Sequence, residues 1–473
     1  LISDLPFFRC FLSPGFILLY LVRMENISLV SDLAWIPRGI PKLEPIKLQL
    51  EKVQLADLIQ GGGEDEGNTD EEQEEMEEEQ PKDDNMEDYD KEDKTGNMMK
   101  GVAVYADPKD DPLMTKHEDS EDEAEHDDFL LKPNDNLVIV AKILHDEPTL
   151  DVHVFNKDNE DWYVHHNYFL ASPPLCVAPI RYDPGHENAR GNLVAVGSFE
   201  PTIDIWDVDV YNALEPIIVL GKEAKKSKPG SRKKRDGSAQ GHSDAVTCLD
   251  WNKNCEHVLA SGSADNTVVL WDLDEAKPST IVTCFDDKLG SIKWHETEPA
   301  IFLAGTKSGK VQIVDCRTTA PSVEALWDLK GEVEKVIWDH HNHFCILATT
   351  DDGKLHYLDS RQPGTPVASV FAHEEGCNGV AQSFGIKGMI ATIGENELKI
   401  WKLCHEKPSF TEVHNYEVKM GKLFAVAFNP DVHNTLVVGG EKEEMIRLFD
   451  LEKSSEVRAA FGAVFEDAPM AED

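Results

Sequence analysis

Apolar and polar positions along the chain fall into short runs that come in pairs. The pairs are NLVAVGSFEPTIDIWDV (192–208), VLASGSADNTVVLWDL (258–273), IFLAGTKSGKVQIVDC (301–316), CILATTDDGKLHYLDS (345–360), MIATIGENELKIWKL (389–403) and TLVVGGEKEEMIRLFDL (435–451). Each is an apolar run, a turn and a second run of alternating character, the period-2 mark of a half-buried strand. The turns hold Asp265-Asn266, Ser308-Gly309, Asp352-Gly353 and Glu395-Asn396, residues that tolerate the positive φ of a tight hairpin. The pattern predicts β-hairpins. Their closing positions, Trp206, Trp271, Val314, Leu358, Trp401 and Phe449, are spaced by 65, 43, 44, 43 and 48 residues. A second register runs ahead of them through Trp251, Trp294, Trp338 and Phe428. Its gaps are 43, 44 and 90, the last spanning two periods with Gln382 near the skipped position. Two registers sharing one period, with a strand before and after each hairpin, predict repeating units of four strands. Another hairpin at 137–155 ends at Phe155, 51 residues before Trp206. Ile27 to Trp35 (ISLVSDLAW) has the character of a strand missing from the ring, and pairing it there removes an exposed sheet edge. The expectation is an all-β ring of seven units, with six or eight as alternatives.

Charge is spread unevenly over the 473 residues, which carry 89 acids, 46 bases and a net −43. Glu64 to Asp128 holds 29 acids and six lysines, a net −23. Such a tract buries too little apolar surface to offset about 1–2 kcal/mol of backbone entropy per residue, so disorder is expected there. Just ahead of it, Lys47 to Gln60 has the pattern of a short amphipathic helix stopped by Gly61 to Gly63. Residues 222–235 have the opposite sign: Lys222, Lys225, Lys226, Lys228, Arg232, Lys233, Lys234 and Arg235 stand against Glu223 alone. With Pro229 and Gly230 inside, this is a loop, and its density of bases points to nuclear import or nucleic-acid contact. The overall charge excludes a simple nucleic-acid coat. Nine cysteines without CxxC spacing imply neither a disulfide framework nor a zinc ribbon, so a reducing compartment fits. Gly15 to Val22 is too short to span a bilayer. With Met24 opening an ordinary sequence, residues 1–23 are taken as a non-native leader, with an anchor as the lesser alternative.

Four-stranded units of about 40–45 residues resemble the WD-repeat family of β-propellers. Gly241-His242, Ser261, Asp265 and Trp271-Asp272 match its signature. The resemblance implies that His242, Ser261, Asp265 and Trp271 form a buried hydrogen-bonded tetrad. His373, Thr392 and Trp401 match in part, with Glu395 near the acid's place. Beyond the repeats, the chain from Met24 resembles the periodic tryptophan protein 1 homologs. The likeness rests on SDLAWIPRG, the acidic tract, DDFLLKPNDNLVIVAKI, LDVHVFN…WYVHHN, Leu214–Pro216, the lysine-rich loop before GHSDAV and LASGSADNTVVLWD. It implies a nuclear, nucleolar WD-repeat scaffold in large-subunit ribosome biogenesis, covering pre-rRNA processing and rRNA production, with chromatin association and transcription regulation as further roles. Implied partners are pre-ribosomal proteins, rRNA and histones, with no membrane and no small-molecule substrate. The expected divisions are the leader, an N-terminal strand at 24–36, a disordered acidic linker at 37–133, a propeller at 134–452 and a C-terminal tail at 453–473. In WD-repeat propellers, loops like 222–240 project from the top face. That places its eight bases where they can touch RNA phosphates, and the acidic tract can compete for them.

Ser120 lies in HEDSEDEAE, the setting acid-directed kinases prefer, and phosphorylation would add about −1.5 to −2 charges. No catalytic constellation stands out. GTKSGK (305–310) lacks the spacing and the final Ser or Thr of a phosphate loop and reads as a hairpin turn. His340, His341 and His343 lack a completing ligand set. Cys248, Cys284, Cys316, Cys345 and Cys377 fall in or beside strands, as small apolar fillers do. No enzyme activity, cofactor or metal is expected. The alternative function is a substrate receptor of a cullin-type ubiquitin ligase. Asp315-Cys316-Arg317 and Asp359-Ser360-Arg361 resemble the WDxR elements of such receptors, with Val314 and Leu358 in place of Trp. A third reading is methyl-lysine capture by an aromatic cage.

Overall fold

The apolar runs pair as their turn chemistry requires. In this computed structural model, residues 28–47, 129–185, 190–221, 241–317, 322–442 and 444–465 are described. Residues 1–27, the 48–60 part of the expected helix, the acidic tract, Ser120 and the basic segment 222–240 lie outside them. The first sheet joins β1 (Leu29–Ile36), β2 (Asn136–Leu144), β3 (Glu147–Asn156) and β4 (Asp161–Phe169). The second joins β5 (Pro174–Tyr182), β6 (Arg190–Ser198), β7 (Ile203–Asp207) and β8 (Ile218–Leu220). The third holds β9 (Val246–Trp251), β10 (Val258–Ser263), β11 (Val268–Asp272) and β12 (Lys277–Val282). The fourth holds β13 (Leu289–Trp294), β14 (Ile301–Thr306), β15 (Lys310–Asp315) and β16 (Ser322–Asp328). The fifth holds β17 (Val333–Asp339), β18 (Asn342–Thr350), β19 (Lys354–Asp359) and β20 (Ala368–Phe371). The last has six strands: β21 (Gly379–Gln382), β22 (Met389–Ile393), β23 (Glu395–Cys404), β24 (Ser409–Phe428), β25 (Thr435–Gly440) and β26 (Ile446–Asp450).

All ladders within these sheets are antiparallel, and positive φ falls at Asn266 (63°), Gly309 (88°), Gly353 (82°) and Asn396 (56°) in the hairpin turns. The result is a β-propeller with six hydrogen-bonded blades. Seven units were expected, and the seventh shares a continuous strand with the sixth: the first part of β24 pairs with β23 and its end pairs with β25. Lys419 and Gly421, at φ 61° and 73°, turn this continuous strand between two hairpins that would otherwise be separate blades. The innermost strands β1, β5, β9, β13, β17, β21 and the end of β24 follow one another around the ring.

The core lies between successive blades. Ile180, Leu193 and Ile205 of the second blade pack with Val246, Leu259 and Trp271 of the third, and Leu303 and Ile313 pack with Val336, Trp338 and Leu358. Outer strands such as β20 alternate half-buried and exposed residues, because one face meets water. Strand β1 closes the ring by pairing with β2 and packing on β24 and β25. Val30 approaches so near that a Cβ on Gly439 would fall 2.5 Å from it.

Two expected boundaries shift. The linker was placed at 37–133, yet residues up to Lys47 are tied to the second blade: Ile46 N donates to Asp209 O at 2.7 Å, and Leu131 N donates to Leu43 O at 2.9 Å. The tail expected at 453–473 contains helix α1 (Ser455–Phe465). Val457 and Phe461, one helical turn apart, bury against Leu451, Leu398 and Val418.

Candidate functional site: the central channel

Buried polar groups hold the blades in shape before any site can form on them. His242 Nε2 lies 2.7 Å from Ser261 Oγ, which accepts the Trp271 Nε1–H at 2.7 Å. His242 Nδ1 lies 3.3 Å from Asp265 Oδ2, and Thr267 Oγ1 donates to Asp265 Oδ1 at 2.6 Å. Burial opposes ionisation of Asp265, but its contacts with His242 and Thr267 win and hold the carboxyl well below the usual range. In the last blade His373 Nε2 meets Thr392 Oγ1 at 2.9 Å and Trp401 donates to the same oxygen at 2.8 Å. The acid there is Glu397, 3.3 Å from His373 Nδ1, rather than Glu395. Leu398 pairs directly with Ile393, so the turn is tight and Glu395 stands on the far side of its tip. Trp206 has no such partner. Val196 stands where the third blade has Ser261, and the buried Trp206 Nε1 makes no hydrogen bond.

The second tryptophan register joins the innermost strands to each other. Trp294 Nε1 donates to Asp250 O at 3.1 Å, and Trp338 Nε1 to Lys293 O at 3.3 Å. In both cases the acceptor belongs to the residue just before the aromatic of the preceding blade. Trp35 follows the same rule, donating to Ala427 O at 3.1 Å beside Phe428. Gln382 does this work with an amide: its Nε2 donates to Asp339 Oδ1 at 2.8 Å and its Oε1 accepts from His340 N at 2.9 Å. Asp339 also accepts from Tyr357 at 2.7 Å and His405 at 3.0 Å. Against the cost of burial, these bonds hold its pKa down to about 2.

The innermost strands enclose a cavity of about 410 Å3 along the ring's axis. Lys335 of β17 crosses it, its Nζ 3.8 Å from Asp32 Oδ1 of β1, a strand that is not its ring neighbour. Asp32 Oδ2 also accepts Val177 N at 3.1 Å. At one mouth, the residue two beyond each register position forms a collar: Arg181, Lys253, Glu296, His340, Phe384 and Pro430. Neither the Arg181 guanidinium nor the Lys253 amine has an ion pair among the described residues. Crowding by the channel walls lowers the pKa of Lys253, and neighbouring Lys293 lowers it further. Burial lowers the pKa of Arg181 too and outweighs the pull of Asp431, with Arg190 adding a smaller push downward. Lys293 itself is paired with Asp250. Across the mouth His340 is paired with Glu296, and Phe384 stacks on the His340 ring with centroids 4.4 Å apart and planes at 25°. Phe384 is 41% exposed, so its second face is open. The collar joins free cations to an open aromatic face. Sequence reasoning passed over it, because its positions share a fixed offset from the periodic register but no residue type.

Other singled-out groups have local roles. GTKSGK forms the β14–β15 turn. No group of three or more His, Cys, Asp or Glu that could hold a metal occurs among the described residues. The His295 ring lies 3.1 Å from His343 O. Arg317 and Arg361 each turn back on the Asp two residues before, with Arg317 Nε 2.7 Å from Asp315 and Arg361 Nε 2.9 Å from Asp359. Cys248, Cys345 and Cys377 are buried, whereas Cys284 is exposed and Cys316 half-buried. Among the described residues no helix is long and apolar enough to cross a membrane.

Comparison with known proteins agrees with this geometry. The family profile "WD domain, G-beta repeat" matches residues 234–272, which include the His242 tetrad. The "Periodic tryptophan protein 1 homolog" of Drosophila melanogaster is 36% identical over 92% of this chain and 97% of its own. "Periodic tryptophan protein 1" of Saccharomyces cerevisiae is 27% identical over 95% of this chain and 87% of its own. An uncharacterized WD repeat-containing protein of Schizosaccharomyces pombe is 28% identical over 92% and 91%.

Proposed function

Since the chain belongs to the periodic tryptophan protein 1 family of WD-repeat proteins, we propose that it is a nucleolar scaffold for large-subunit ribosome assembly that binds precursor ribosomal RNA and performs no chemistry of its own. The observation that carries this is the placing of the chain's densest run of bases. Residues 222–240 leave the ring at Gly221 and return at Gly241. Both glycines have positive φ, and both lie against Trp271. A Cβ on Gly241 would fall 2.7 Å from the Trp271 ring, so the two ends meet at one point of a rigid blade. In a chain of net −43, eight bases anchored at one point form a local phosphate-binding element, while the remaining charge discourages unspecific contact.

The test is gradient sedimentation of the tagged chain from nuclear extract, with and without ribonuclease, beside a variant with the eight bases replaced by Gln. Migration with large particles that ribonuclease dissolves, and that the variant loses in part, is expected. A light peak indifferent to ribonuclease would overturn the proposal.

A further inference from the structure

The collar at the channel mouth is built from six strand ends that share a position and little else, and two of them carry cations. Arg181 stands on β5 and Lys253 just past the end of the adjacent β9, and the two repel each other. Neither makes an ion pair among the described residues, although Asp431 draws on Arg181, and Asp250 and Glu296 draw on Lys253. Lys253 is exposed and Arg181 half-buried, so an anion can reach both from solvent, and two cations on one side of the mouth attract it. Across the mouth, Phe384 has one face covered by His340 and the other open. The His340–Glu296 pair beside it presents both hydrogen-bond donors and acceptors. The cavity of about 410 Å3 falls in the range of small-ligand sites.

We propose that this collar binds a nucleotide of single-stranded RNA, its phosphate held by Arg181 and Lys253 and its base stacked on Phe384. An acidic peptide would satisfy the cations but would meet Glu296 and leave the aromatic face unused. A nucleotide uses both sides, because its charge and its flat apolar surface lie at opposite ends of one unit. Single-stranded RNA is required, since a base paired in a helix cannot present its face to Phe384. This site deepens the proposed RNA-binding role and rests on it. It is separate from the basic segment 222–240, which leaves the ring at the opposite ends of the blade strands.

The test is fluorescence anisotropy of a labelled single-stranded RNA 10-mer with the intact chain, over a range of salt. In R181Q/K253Q the slope of log affinity against log salt should fall by roughly one. F384A should weaken binding about five-fold or more with the slope unchanged, and F384W should restore it. Thermal melting of each variant shows whether it is folded. If folded collar variants bind like the parent, the collar inference is overturned while the RNA role stands on the basic segment. If the intact chain ignores RNA but binds a poly-glutamate peptide that R181Q/K253Q loses, the site belongs to acidic peptides and the inference is likewise overturned.

Discussion

At the scale of single residues, stability turns on whether a buried N–H finds a partner. Ser261 serves three neighbours: it accepts from Trp271, meets His242, and lies 3.3 Å from Val269 O. Ser261→Ala orphans the indole and one imidazole nitrogen together, and an orphaned buried polar group costs about 1–3 kcal/mol. A loss of about 3 kcal/mol in urea unfolding is expected. Trp206 offers the converse. Its indole N–H is buried without a partner, and Val196 holds the place where an acceptor would stand. Val196→Thr keeps the volume and adds a hydroxyl that can accept from Trp206, with Asp204 O of the paired residue available to its proton. A gain of about 1 kcal/mol is expected by the same logic. If both variants shifted in the same direction, partner satisfaction would not be what sets these energies.

At the scale of elements, the hairpins were legible because turn chemistry and period-2 alternation agree at each of them. The outer strands were faint because they are short: β8 has three residues and β20 four, too few for alternation to stand out. Strand β1 was found by its apolar character, but Trp35 could not be placed in the tryptophan register. Nearly a hundred residues separate it from β2, so no period connects it to Trp251. Its register became visible only through the bond to Ala427 O. The collar was illegible for a related reason: Arg181, Lys253, Glu296, His340, Phe384 and Pro430 share an offset but no chemistry. The hairpin units were legible, but nothing in the sequence of β24 signals that one continuous strand joins the last two into a single run. Strand β1 also carries a prediction. Removing residues 1–36 strips the pairing partner from β2, whose backbone would then stand as an open edge beside Leu137 and Val138. Such edges recruit other chains, so light scattering after gel filtration should show oligomers. Trp35→Phe removes only one hydrogen bond, worth about 1 kcal/mol, and should remain monomeric. A monomeric deletion would mean that β1 does not protect this edge.

At the scale of the whole molecule, acid acts through two opposing terms. Lowering the pH reduces the self-repulsion of a chain at −43, which favours the compact state. It also protonates histidines. Burial holds His153 and His373 down to about 4, and His166 to about 3, with His165 adding to the shift at His166. In the unfolded chain each takes up a proton near pH 6.5. Below that pH the unfolded state therefore binds protons that the native state refuses, and stability falls with pH. For each of these groups the contribution is complete above pH 6.5 and is lost as the pH falls toward about 4. A single group such as His373 accounts for on the order of 3 kcal/mol over that window. The depressed carboxylates Asp265 and Asp339 act later, because their contribution survives until the pH drops below the ordinary carboxylate range. The excess acids of the chain also begin to lose charge only near pH 4 to 5. Between pH 6.5 and 5 the histidines therefore meet little opposition. Urea midpoints should decline steadily from pH 7.5 to 5, before most carboxylates titrate. His373→Gln should be less stable than the parent at pH 7.5 yet decline less steeply, since it retains a polar side chain facing Thr392 but cannot be protonated. Equal slopes for parent and variant would show that His373 does not remain neutral in the fold.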